Sequence, residues 1–79
     1  MFMSNWSITY ELHIESKEEN HKQVVFDILD ADSYFDLINN GLRDSVAEIT
    51  KRTLGEKVKG LIEIQVEVIE VKELNIMVP

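Results

Sequence analysis

The 79-residue chain has no cysteine, one proline, three glycines and one tryptophan. Without cysteine there is neither a disulfide staple nor a thiolate zinc site. So few prolines and glycines leave no linker or low-complexity tract, and a single domain over residues 1–79 is expected. Positive charge is scarce as well: 8 Lys+Arg stand against 15 Asp+Glu, a net charge of −7. That balance argues against general affinity for nucleic acid or anionic lipid, both of which bind through cationic surface. No apolar run approaches the roughly 18 residues of a membrane-spanning helix. The first six residues, Met1 to Trp6, lack the basic start and apolar core of a secretion signal. Asn5-Trp6-Ser7 matches a glycosylation sequon, which carries no weight without export. A cytoplasmic location is the expectation.

What is present is 44% apolar and 29% charged residues, too apolar for a disordered acidic tail. Ordering a chain costs about 1.5 kcal/mol per residue, so a core this small leaves little net stability. Self-association is therefore expected. The composition, small, acidic and cysteine-free, is of a kind frequent among phage and mobile-element products, an analogy with no motif behind it.

Alternation places Trp6, Ile8, Tyr10, Leu12 and Ile14 on one face of a strand, with Ser7, Thr9, Glu11, His13 and Glu15 on the other. Ser16 to Lys22 is wholly polar and reads as a loop. Gln23 to Asp30 reads as a second, antiparallel strand, with Val24, Phe26 and Ile28 facing opposite to Val25, Asp27 and Leu29. Asp30, Asp32 or Ser33 is placed to cap a helix, and Ser33 would put Asp36 at the third helical position. Apolar residues at 35, 38, 42, 46 and 49 then form an amphipathic stripe. It keeps phase through Gly41, which predicts one helix, bent if anything, rather than two. Lys51 and Arg52 suit the negative end of that helix and Gly55 its left-handed cap.

Residues 61–72 alternate as a third, long strand, whose phase flips at Val68-Ile69 as a β-bulge would require. Leu74, Ile76 and Val78 extend it or form a further short strand. The expected fold is α+β: a small β-β-α-β domain, its antiparallel sheet covered on one face by one amphipathic helix, with a long C-terminal strand.

Catalytic and metal signatures are weak throughout. His13 lies between Glu11 and Glu15 on a polar strand face, but neighbours two apart are about 6.6 Å from each other, too far for mutual hydrogen bonds. His21 falls in the polar loop and reads as solvated surface. Asp27, Asp30 and Asp32 do not fit a calcium loop, because Tyr34 and Phe35 stand where an oxygen ligand and a glycine are required. Gly55 to Gly60 has phosphate-loop glycine spacing but precedes a strand, with Leu61-Ile62 in place of the Lys-Ser/Thr pair. Catalytic residues, metal ligands and cofactors are accordingly expected to be none, and the chain to be no enzyme.

The acidic excess is the informative feature. Residues 51–59 hold Lys51, Arg52, Lys57 and Lys59 against Glu56, a local +3, which leaves −10 for the other seventy. Glu11, Glu15, Glu63 and Glu67, with Asp27, are expected on the non-core face of the sheet, where they suit binding of a protein partner. The specific version of that reading is an inhibitor that imitates nucleic-acid charge to occupy a nucleic-acid-binding or defence protein. The third strand exceeds its expected partners in length, and Ile64, Val66, Val68 and Ile69 are the candidate homo-oligomer interface. The leading expectation is a non-enzymatic acidic interaction module. The alternative is a structural or assembly protein whose main activity is homo-oligomerisation.

Overall fold

Three strands and one helix follow in the order β-β-α-β in a computed structural model that describes residues 3–55 and 60–74, the side chain at position 62 excepted. β1 (Ser4–Ser16) lies between β2 (Asn20–Ala31) and β3 (Leu61–Leu74), antiparallel to both. The helix, α1, occupies residues 34–54. This is a small α+β domain of the kind expected from the alternation.

β1 takes the centre because its apolar face is the most regular. Ile8, Tyr10, Leu12 and Ile14 are fully buried, and Leu42 and Leu54 of the helix cover them. Trp6 packs with Ala31 and Leu37 in a second cluster at one end, its indole Nε1–H donating to the Ala31 carbonyl at 3.2 Å.

The first two strands are longer than the alternation of apolar residues suggests. The expected loop over 16–22 shrinks to residues 17–19, because Ser16 Oγ donates to the Glu19 carbonyl at 2.8 Å and accepts its N–H at 3.1 Å. That serine clamp lets the polar residues Asn20 to Lys22 continue the ladder opposite His13 to Glu15. His21 is thereby moved from solvated loop to strand, opposite Ile14, with its Nε2 buried and unpaired.

Ser33 is the N-cap, accepting the Asp36 N–H at 3.1 Å. The helix continues through Gly41 as one body, but Leu37–Leu42 are wound as a π-turn. Asn39, Asn40 and Gly41 hold α geometry weakly, which permits the wider turn. The consequence is a change of phase: Leu37 and Leu42, five apart, are both buried, while Phe35, expected in the stripe, is left exposed. The helix ends at Leu54 with Gly55 as its cap; φ of +55° is positive as expected, but ψ of −126° takes it outside the left-handed helical conformation. Lys57 and Lys59, like Ile76 and Val78, lie outside the described residues.

β3 pairs with β1 along its whole length, from Leu61 opposite Ser16 to Leu74 opposite Asn5. Among the described residues the expected overhang is therefore absent, and no described strand pairs the outer edge. The bulge falls where the phase flips: Tyr10 faces Val68 and Thr9 faces Glu70, leaving Ile69 as the extra residue. It restores Val71 to the helix side, where it packs against both clusters.

Candidate interaction surfaces

α1 spans about 31 Å and is about 10 Å wide, so it covers only part of a sheet whose strands run to about 46 Å. It sits over β1 and β2, packing Ile38, Val46 and Ile49 toward Ile8–Ile14, Val25 and Leu29. Toward its two ends β3 reaches this core through Leu61 and Val71, but its middle is left more open. Its helix-side residues Ile64, Val66 and Val68, opposite Ile14, Leu12 and Tyr10, remain 36–39% exposed beside an edge that no described strand pairs.

The other edge strand is blunted. The Asp27 carboxylate accepts the Ile28 N–H at 2.9 Å through Oδ1 and the Ser45 hydroxyl at 3.0 Å through Oδ2. An inward-turned charge that occupies backbone donors is a device that stops edge pairing. Asp27 consequently belongs to the helix side of the sheet, and the expectation that it joins the acidic face is corrected. Ser45 also bonds Tyr10 Oη at 2.8 Å, so Tyr10, Ser45 and Asp27 form a polar chain within the core. With its own donor position taken by Asp27, Ser45 accepts from the tyrosine. Burial raises the Tyr10 pKa, the Ser45 bond opposes this, and the Asp27 charge adds to the rise.

The open face of the sheet has two halves. On β1 and β3 the register sets Glu11 directly opposite Glu67 and Glu15 directly opposite Glu63, with His13 facing Gln65 between them. All four glutamates singled out from the sequence thus meet in one array. Like charges directly opposite one another destabilise a sheet. Relief is slight: Lys22 Nζ approaches Glu11 Oε1 at 3.9 Å, and Gln65 Nε2 donates to Glu63 Oε1 at 3.2 Å. On β2 the same face presents Val24, Phe26 and Ile28, 55–66% exposed. An open-face Asp27 would imply the reverse, with these three toward the core, and that implication is corrected together with Asp27. The usable signal was that β2 is apolar on both faces, the pattern of a strand covered on both sides.

Among the described residues no group of three His, Cys, Asp or Glu side chains is arranged to hold a metal ion. His13 sits on the open face between Lys22 and Gln65. No described helix is long and apolar enough to cross a membrane. No family model, curated protein or solved structure matches the chain.

Proposed function

We propose that this chain is a non-enzymatic acidic interaction module that self-associates along β3 and binds a cationic protein partner on its open sheet face. The observation that supports it most is the array of Glu11/Glu67 and Glu15/Glu63, two like-charged pairs in direct register beside an exposed apolar row. A face that only had to stay soluble gains nothing from opposing carboxylates, whereas a cationic partner neutralises both members of each pair at once. Exposed Val24, Phe26 and Ile28 supply the apolar contact that charge alone does not.

A partner that normally binds nucleic acid fits this arrangement. Four carboxylates within about 14 Å of strand give one charge per roughly 3.5 Å, against about 1.7 Å of axis per charge in a duplex. Two copies joined along β3 narrow that gap, so imitation of nucleic-acid charge belongs to the dimer. The competing reading, an assembly protein with no other partner, draws support from the uncovered Ile64, Val66 and Val68 row.

Capture from a cell extract at low and high salt, with competing duplex DNA, tests the proposal. A bound nucleic-acid-binding protein should be released both by salt and by duplex. The quadruple variant Glu11→Gln, Glu15→Gln, Glu63→Gln, Glu67→Gln should capture none while keeping its fold. Capture that survives both salt and these substitutions would overturn the reading.

A further inference from the structure

Self-association along β3, as proposed above, leaves the register of the two strands undecided, and the side chains of β3 discriminate between registers. We infer that two copies pair antiparallel about a two-fold axis at Val66, so that Val66 faces Val66 of the second copy and Ile64 faces Val68.

The choice of edge comes first. β2 has its Ile28 N–H bound by Asp27, whereas among the described residues no side chain caps a backbone group of β3. Coverage points the same way. α1 lies over β1 and β2, so joining β3 to β3 keeps the two helices apart and leaves a trough between them. That trough is floored by the half-exposed Ile64, Val66 and Val68 of each copy.

Register follows from charge and parity. An isologous antiparallel pair sets residues of equal distance from the axis opposite one another. With the axis at Val66, six apolar side chains meet on the helix side. On the open side Gln65 faces Glu67, so no carboxylate opposes a carboxylate across the new seam. Moving the axis to Gln65 sets Glu63 against Glu67 twice, and moving it to Glu67 sets that residue against itself, both of which are repulsive. An axis at Ile64 leaves Val68 opposite Gly60 and wastes a third of the apolar row. An axis at Val68 brings the bulges at Ile69 into the paired segment, where the ladder is interrupted. Only the Val66 axis fits the apolar row, the charges and the bulge together. The bulge also ends the pairing, since beyond Ile69 the facing of β3 reverses relative to the second copy.

Because the chain has no native cysteine, single cysteines report this register directly. Directly opposed residues lie about 4.5–5.5 Å apart at Cα, within disulfide range, whereas a four-residue offset moves them about 13 Å apart, beyond it. Val66→Cys should oxidise to a covalent dimer with itself. Ile64→Cys and Val68→Cys should each do so poorly alone, yet form the mixed dimer when combined. Sedimentation of the unmodified chain should show a dimer that Val66→Lys converts to folded monomer, with the fold followed by circular dichroism. A chain that stays monomeric at all concentrations overturns self-association itself. A dimer in which Ile64→Cys or Phe26→Cys cross-links to itself in preference to Val66→Cys overturns the register or the edge, while leaving self-association standing.

Discussion

Tyr10, Ser45 and Asp27 show how one polar chain is accommodated inside a core this small. Tyr10 is fully buried and Ser45 nearly so, and each hydroxyl has a partner. Ser45→Ala leaves the tyrosine hydroxyl buried without an acceptor and removes a donor from Asp27, a loss of about 1–3 kcal/mol. Tyr10→Phe keeps the Ser45–Asp27 bond and should cost less, about 0.5–1.5 kcal/mol. Denaturant unfolding of the two variants checks the order. The pH dependence has a definite sign. Burial raises the Tyr10 pKa above its ordinary 10.0, so the folded state holds that proton more tightly than the unfolded one. The associated stability is present below pH 10 and is lost as pH rises through the ordinary tyrosine range toward the raised value. Tyr10→Phe should therefore flatten the alkaline side of the stability profile relative to the unmodified chain. None of these contacts was legible from spacing alone. Nothing in the spacing singles out Ser45, and Asp27 read as a carboxylate of the open face.

The helix shows the limit of periodicity arguments. One continuous helix was legible, since the stripe through Leu42, Val46 and Ile49 does not break at Gly41. The π-turn was not, because a wider turn changes which residues face the sheet without changing their number. It buries Leu37 in place of Phe35. Gly41 approaches Leu29 so closely that an added Cβ would lie 3.4 Å from its Cδ1 and 3.5 Å from Leu37 Cδ1, ordinary contact distances. Gly41→Ala should accordingly stabilise the chain by about 0.5–1 kcal/mol through helix propensity, read as a higher midpoint in urea. A lower midpoint would mean that the π-turn itself requires glycine. The hairpin is the converse case: its strands were placed correctly, but polar residues hid their ends. Asn20 to Lys22 have no apolar alternation, and only the Ser16 clamp and the ladder opposite β1 make them strand.

For the molecule as a whole, charge is arranged against stability. Glu67→Lys converts an opposed like-charged pair into an attractive one, since Glu11 stands directly across the ladder. Thermal unfolding should show a gain of about 0.2–1 kcal/mol, with binding of a cationic partner weakened in the same variant. A variant that gains stability and retains full binding would remove the acidic array from the interface. The three strands, their order along the chain and the bulge at Val68-Ile69 were readable from alternation, because a side-chain period of two reports facing directly, whereas the central place of β1 came only with the pairing. Which face of β2 turns to the helix was not readable, since Val24, Phe26 and Ile28 are as apolar as Val25 and Leu29. Packing settled it through Asp27, whose carboxylate finds Ser45 and the Ile28 N–H on one side of the sheet and solvent on the other. The acidic balance was likewise visible as a sum. Its division into opposed pairs on β1 and β3 and an apolar row on β2 depends on register, which joins glutamates 48 and 56 positions apart and is set by how the strands meet.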